Sequence, residues 1–175
     1  MPTRTHKALA IAGALAALTL GMAGKVDRLE DYEKDHYQAL KVWFADKKET
    51  KAYLKLKTAG ERDQWLKDKG YWDRFYKYDE YEREEILSRQ PKIGWTQDMV
   101  YMAWGPPYDK VKSTKRTART SEIFKYRVEV TKDGAHMIYT PGSKETYKAV
   151  SRYQADLYLD NRKVVEIKKK DDWER

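Results

Sequence analysis

The side chains whose types and spacing could carry out chemistry are concentrated in residues 93–107, which read IGWTQDMVYMAWGPP. The Thr96 hydroxyl and the Asp98 carboxylate are two residues apart, and such a pair could belong to a nucleophilic site. The hydroxyl would need a base to remove its proton, and the segment contains no histidine, lysine or second carboxylate. The sequence therefore favours a structural role for this pair over a catalytic one.

The same residues fit the two ends of a short helix. Thr96 is a preferred N-cap residue, and Asp98 falls in the first turn, where a negative charge interacts favourably with the helix N-terminus. Gly105 can adopt the left-handed backbone that ends a helix, and Pro106 and Pro107 cannot continue it. We therefore predict a helix that begins at Gln97 and stops at Gly105.

Other side chains are not grouped as an enzyme or a metal site would need. His6, His36 and His136 are far apart in the sequence, and the chain contains no cysteine, so it has neither a thiolate metal site nor a disulfide framework. The motifs of phosphate loops, serine hydrolases and zinc proteases do not occur. We predict no metal and no cofactor, with a hydrolase that uses a dispersed carboxylate pair as the enzymatic alternative.

Basic side chains cluster in residues 109–121, DKVKSTKRTARTS, with only Asp109 opposing them. Such a segment is typical of a solvated loop, and by charge alone it could also bind anionic lipid or polysaccharide. Nucleic acid is not expected as a partner, because residues 1–24 have the layout of an export signal. The candidate anion contacts are Lys110, Lys112, Lys115, Arg116 and Arg119.

Residues 1–24 have the layout of a secretory signal peptide. Arg4 and Lys7 precede an alanine-rich apolar run, residues 8–24, which contains small residues suited to cleavage near its end. A retained membrane anchor is the alternative, but a spanning helix usually needs about 20 residues of stronger hydrophobicity. Cleavage removes two of the 36 Lys and Arg and leaves 34 against 28 Asp and Glu, a net charge of +6.

The first half of the remaining chain is predicted to be helical. Apolar residues recur there every three or four positions, with charged residues between them. Thr58 and Glu61 have the spacing of a capping box, Gly70 suits a left-handed stop, and Pro91 ends the last run. The predicted helices cover residues 26–46, 50–56, 58–70 and 71–91.

The second half is predicted to form a sheet, because the pattern alternates with a period of two. SEIFKYRVEV and AHMIYT are strands about the turn TKDG, and YQADLYLD and RKVVEIKK are strands about Asp160 and Asn161. Alternation places Leu157 on the buried face of the third strand and Val165 with Ile167 on that of the fourth. We predict an α+β fold in which N-terminal helices precede a helix and a three- to four-stranded antiparallel meander, with the helices on one face.

GWTQD, followed by VYMAWGPP and EIFKY, resembles the Gly-Trp-x-Thr-Asp (GWxTD) domain of envelope proteins, with Gln97 as the variable position. The wider pattern, which ends in LYLDNRKVVEI, is similar to the outer-membrane assembly lipoproteins SmpA/OmlA, called BamE. That resemblance implies helices packed on a small antiparallel sheet. The lipoproteins carry an acylated N-terminal cysteine that this chain lacks, so no lipid anchor is implied. The resemblance covers residues 93–167, and its most specific positions are Gly94, Trp95, Thr96, Asp98, Gly105 and Pro106.

The leader and the resemblance together predict a non-catalytic exported protein of the cell envelope, in the periplasm or at the outer membrane, that binds or assembles with another envelope protein. Trp104 and Tyr108 are the predicted partner contacts, because aromatic side chains dominate interface energetics. A binder of anionic lipid or polysaccharide is the alternative function. The predicted organisation is a signal peptide (1–24), a helical region (25–91), an α+β domain (92–170) and a charged tail (171–175).

Overall fold

The computed structural model describes residues 23–114, 118–141, 148–171 and 173. Within them, helices precede an antiparallel sheet, so the predicted α+β class is confirmed. The helices are α1 (Ala23–Val26), α2 (Asp31–Leu40), α3 (Lys47–Tyr53), α4 (Ala59–Asp68), α5 (Trp72–Tyr76), α6 (Glu80–Ser88) and α7 (Gln97–Trp104), with a 3-10 turn over Lys41–Trp43. The strands are β1 (Asp109–Lys112), β2 (Ser121–Thr131), β3 (His136–Tyr139), β4 (Ala149–Asp160) and β5 (Lys163–Asp171).

The described strands form one antiparallel sheet with β2 and β4 at its centre. β5 pairs with the far side of β4, and the far side of β2 is shared by two short strands. β1 pairs with residues 122–125 of β2, and β3 pairs with residues 127–130. The order is therefore not the predicted meander. β4, with 12 residues, can satisfy the backbone groups along the whole of the 11-residue β2, whereas β3 has only four residues.

Helix α7 packs directly on the sheet and also contacts the N-terminal helices. Its Tyr101 ring stacks on Phe124 with 5.6 Å between centroids and also contacts Trp43 at 5.9 Å. Its Trp104 meets Tyr126 edge-on at 5.0 Å. Helices α2 and α6 contact α7, and one cluster of buried hydrophobic side chains includes residues of both halves of the chain. The N-terminal helices therefore fold back onto the α7–sheet unit.

The two longest predicted helices are each interrupted by an acidic residue at a new helix start. Glu30 has extended backbone with ψ 160°, and α2 begins after it. Asp79 accepts a hydrogen bond from the Glu82 N–H at 2.8 Å and starts α6. Helix α6 then ends at Arg89, which is left-handed with φ 58°, two residues before the predicted stop at Pro91. Acidic caps satisfy free N–H groups at a helix start, which explains both breaks.

Local caps also set the shorter helices. Helix α3 begins at Lys47, earlier than predicted, because Asp46 accepts backbone hydrogen bonds at 2.7 and 2.9 Å. The predicted capping box of Thr58 and Glu61 is present at the start of α4, and Gly70 follows that helix with φ 68°.

The register of β5 differs from the simple alternation. Asn161 and Arg162 form the β4–β5 turn with φ 49° and 65°, one residue later than predicted. The register then shifts, so that Leu159 lies opposite Val164. A one-residue shift moves a side chain to the opposite face, and Val164, rather than the predicted Val165, is buried in the core.

Two described residues of the predicted charged tail, 171–175, are part of the packed structure. Asp171 belongs to β5, and Trp173 is only 7% exposed. Residues 172, 174 and 175 of the predicted tail lie outside the described residues, as do residues 1–22 of the predicted signal peptide. In the part that is described, no helix has the length and apolar character needed to cross a membrane.

Candidate functional site

The residues predicted to start and stop α7 have these roles in the structure. Thr96 Oγ1 accepts a hydrogen bond from the Met99 N–H at 3.3 Å and shares one of 2.8 Å with the Tyr78 hydroxyl. Helix α7 stops at Gly105, which has φ 76°. The hydroxyl of the buried Tyr126 donates to the Gly105 carbonyl at 2.9 Å, which fixes the end of α7 to β2.

Backbone hydrogen bonds attach the start of α7 to the β4–β5 hairpin. The Gly94 N–H donates to the Val164 carbonyl at 2.7 Å, and the Val164 N–H donates to the Trp95 carbonyl at 2.8 Å. The Gln97 N–H donates to the Arg162 carbonyl at 2.8 Å. Gly94 has φ 94°, which side chains rarely tolerate, so a glycine suits this approach to the strand.

Asp98 of α7 forms ion pairs with the α5–α6 connection and with the β4–β5 turn. Its carboxylate lies 3.0 Å from Lys77 Nζ and 3.4 Å from Arg162 Nη2. The Thr96 hydroxyl faces Tyr78 and a backbone amide instead of a base. These contacts of Thr96 and Asp98 join α7 to neighbouring segments of the chain.

The prediction that Trp104 contacts a partner is wrong. Trp104 is 6% exposed, its Nε1–H donates to the Arg89 carbonyl at 2.7 Å, and its ring packs on Tyr126. Trp95 is buried as well, and Pro106 lies exposed after the helix. Both tryptophans belong to the core because α7 lies between the sheet and the other helices.

The basic segment is not one continuous loop, because its first part is strand β1. Lys110 Nζ lies 2.9 Å from Glu122 Oε1 and 5.1 Å from the centre of the Phe124 ring. This cation is therefore already paired. Lys112 and Arg119 are exposed, and Lys115 and Arg116 lie outside the described residues.

The face of the sheet opposite α7 carries mainly polar side chains, and we call it the outer face. Strand alternation and register place these residues together, and the C-terminal tryptophan covers part of them. The outer face includes Tyr108, Asp109, Val111, Ile123, Lys125, Arg127, Glu129, Met137, Tyr139, Arg152, Gln154, Asp156, Tyr158, Glu166, Lys168, Lys170 and Trp173.

Ion pairs neutralise the acidic groups of the outer face. Glu129 is 0% exposed and lies 3.1 Å from Arg152 Nε. Asp156 is 3% exposed, with Lys170 Nζ at 2.7 Å. Buried carboxylates are costly unless paired, so these two cations are committed to them. The other ion pairs are Lys125–Asp109 at 2.8 Å and Lys168–Glu166 at 3.3 Å.

Arg127 differs from these cations, because the described residues supply it with no carboxylate partner. The carbon at the centre of its guanidinium lies 5.0 Å from the centre of the Tyr108 ring and 5.3 Å from that of Trp173. Its Nε is buried and has no hydrogen-bond partner. The outer face therefore contains one open cation flanked by two aromatic rings.

The aromatic rings beside Arg127 are themselves held in place. The Tyr108 hydroxyl donates to Gln154 Oε1 at 3.1 Å, and Gln154 Nε2 donates to Asp156 at 2.8 Å. Trp173 donates to the Val128 carbonyl at 3.4 Å and lies 4.7 Å from the Tyr139 ring. These contacts position the rings before any ligand binds.

A second cluster of polar side chains surrounds His36, for which the sequence predicts no interacting residue. Its Nε2 lies 2.5 Å from the Tyr76 hydroxyl, and its Nδ1 lies 3.6 Å from Asp63 Oδ1, too far for a hydrogen bond. Burial lowers the pKa of His36 and raises the pKa of Tyr76. The phenol therefore stays protonated near neutral pH, and its hydroxyl is engaged with the His36 ring.

Among the described residues, no three His, Cys, Asp or Glu side chains are arranged to hold a metal ion. No family model, curated protein or solved structure matches the chain. The resemblance to the GWxTD domain and to BamE-like lipoproteins therefore stays a prediction.

Sequence reasoning identified Tyr108 but missed Arg127, Gln154 and Trp173 beside it. Alternation along β2 already places Arg127 on the face away from the core. The isolated Trp173 in a charged terminus was a further signal, because an aromatic residue there gains by covering a surface.

We expect Thr96→Ala to lower the free energy of unfolding by about 1–3 kcal/mol, through loss of the cap and of the hydrogen bond with Tyr78. Thr96→Ser keeps the hydroxyl and is the matched control. Urea unfolding of the purified variants measures the difference. Equal stability of the Ala and Ser variants would contradict the capping role.

Stability should fall as the pH drops from 7 to 5, because burial lowers the pKa of both His36 and His136 in the folded protein. The stabilisation is complete above the unfolded pKa of about 6.5 and is lost as the pH falls toward the lower folded values. Each histidine contributes at most about 1.4 kcal/mol per pH unit.

Unfolding measured at a series of pH values checks this, with His36→Gln and His136→Gln as the variants. Each substitution should reduce the slope, and the double variant should be nearly flat between pH 7 and 5.5. A double variant that keeps the original slope would assign the effect to other groups.

Proposed function

We propose that this protein is a non-catalytic, exported protein of the cell envelope that binds another protein through its outer face. The observation that carries the proposal is Arg127, an open cation held between Tyr108 and Trp173. Arginine and aromatic residues are enriched among the residues that dominate protein–protein binding energy. Tyr108 keeps its predicted role as a partner contact in this proposal.

The protein is proposed to be non-catalytic because the side chains that could react make structural contacts. Thr96 caps α7, and Asp98 is held between two cations. The Tyr76 phenol beside His36 has a raised pKa, so neither hydroxyl is activated for attack.

Export is supported by where the core begins. Val26 is fully buried and Leu29 is nearly so. Removal of residues 1–24 would take only the first two residues of α1 and would leave both core side chains in place. Cleavage after residue 24 is therefore compatible with a core that keeps both side chains.

The alternative is a binder of anionic lipid or polysaccharide that uses the basic segment. Lys112 and Arg119 are exposed and available for it. The ion pair of Lys110 with Glu122 weakens this reading, because one of the expected contacts is already neutralised.

We expect the chain, expressed with its leader in a bacterial host with two membranes, to be recovered from the periplasm without its first 23 or 24 residues. Intact-mass measurement of the fraction checks this. The double substitution Leu18→Arg and Leu20→Arg should block export, because two charges interrupt the apolar run of the leader. A full-length mass in the membrane fraction would favour the retained anchor.

A photo-crosslinking residue placed at Tyr139, on the outer face, should give a discrete protein adduct in intact cells. The matched control is Tyr81, which is 67% exposed on α6, a helix that contacts α7 and so lies on the opposite side of the sheet from the outer face. The adduct is identified by mass spectrometry. Equal adducts at both positions, or none at Tyr139, would contradict a partner at the outer face.

A further inference from the structure

We infer that Arg127 binds a carboxylate side chain of the partner, so that the outer face recognises an acidic protein segment. This inference rests on the proposed function and names the chemistry of the partner. Its basis is the position of the Arg127 guanidinium, which has no carboxylate partner among the described residues and lies beside the rings of Tyr108 and Trp173. The buried carboxylates of this face already have cationic partners.

The neighbouring cations have carboxylate partners, whereas Arg127 has none within the described part of the chain. Arg152 and Lys170 each hold a buried carboxylate, Glu129 and Asp156 respectively. Reassigning either cation to a ligand would leave a buried acid unpaired, which is costly. Arg127 can bind an anion without breaking an existing pair. Its buried Nε, which lacks a hydrogen-bond partner, also marks it as incompletely satisfied.

The flanking rings prepare the guanidinium for a carboxylate. Rings of Tyr108 and Trp173 near its faces restrict its motion and exclude water, while the N–H groups at its edge remain the donors. A guanidinium presents these donors in a planar fork that matches the two oxygens of a carboxylate. Gln154 accepts from Tyr108 and donates one of its N–H groups to Asp156, so its amide positions the Tyr108 ring and the buried acid.

The charge pattern favours a single carboxylate over a polyanion. Polyanions such as nucleic acid, acidic polysaccharide or a lipid surface bind through many cations at once. Among the described residues the outer face offers one open cation, and it also carries the carboxylates of Asp109, Glu129, Asp156 and Glu166. An acidic protein segment can place one carboxylate on Arg127 and keep its other groups away from these acids.

The test uses the mature full chain and two terminally blocked peptides of equal length, one alternating glutamate with serine and the other glutamine with serine. Binding is measured by calorimetry and by NMR of the arginine side chains. The variants are Arg127→Gln, Arg127→Lys and the control Lys168→Gln, which removes an exposed cation from the same face.

The wild-type chain should bind the glutamate peptide at least tenfold more tightly than the glutamine peptide. Arg127→Gln should lose that preference, Arg127→Lys should retain part of it because it keeps charge without the fork, and Lys168→Gln should change affinity less than twofold. Thermal unfolding confirms that each variant is folded, and Arg127→Lys carries the test if Arg127→Gln is not. Equal binding of both peptides, or binding unchanged by either Arg127 substitution, would overturn the inference.

Two further measurements separate this inference from the proposed function. If the Tyr139 adduct persists unchanged in the Arg127→Gln variant, the proposed interface at the outer face stands, and the inferred contact of Arg127 with a carboxylate is overturned. A wild-type chain that gives no adduct would overturn both. Binding of a sulfated polysaccharide is measured as well, with the wild-type chain and with the double variant Lys112→Gln/Arg119→Gln. If the polysaccharide binds more tightly than the glutamate peptide and loses affinity in the double variant, the inference is overturned in favour of the basic segment.

Discussion

The arrangement of this molecule depends on the attachment of the start of α7 to the β4–β5 hairpin. Backbone hydrogen bonds join residues 94–97 to residues 162–164, and the ion pair of Asp98 with Arg162 lies beside them. These contacts fix one end of the helix, and the hydrogen bond from Tyr126 to Gly105 fixes the other. The helix is thereby held across β2, and the N-terminal helices can pack on it as a preformed surface.

Strand β2 then determines both sides of the sheet. Phe124 and Tyr126 face α7, whereas Lys125 and Arg127 alternate with them on the outer face. The cation of the proposed binding site therefore lies on a central strand whose opposite side is core. A side chain on such a strand has little backbone freedom, so a ligand that binds it gains from preorganisation. The ion pairs of Glu129 and Asp156 add rigidity to the same surface.

Features encoded within a few residues were predictable from the sequence. The cap at Thr96, the stop at Gly105 and the box of Thr58 with Glu61 each need only neighbouring residues to form. The breaks at Glu30 and Asp79 were missed, because acidic residues are equally common on solvated helix faces.

Features that depend on distant residues were not predictable in the same way. The pairing of β2 with β4 joins segments that are separated by β3, and the shift that buries Val164 depends on the hairpin register. Strand β1 is short and basic, so its sequence alone does not distinguish it from a loop. Alternation placed Arg127 on the outer face, but only the fold brings Trp173 from the end of the chain against it.

The divided edge beside β2 also affects how the molecules behave toward one another. Unpaired strand edges invite other chains to extend a sheet, which is the usual route to fibrous aggregates. β1 and β3 each offer only four residues along that edge, and β5 at the opposite edge carries four lysines in nine residues. The short strands on one edge and the exposed lysines on the other should keep the protein dispersed even when it accumulates at high concentration.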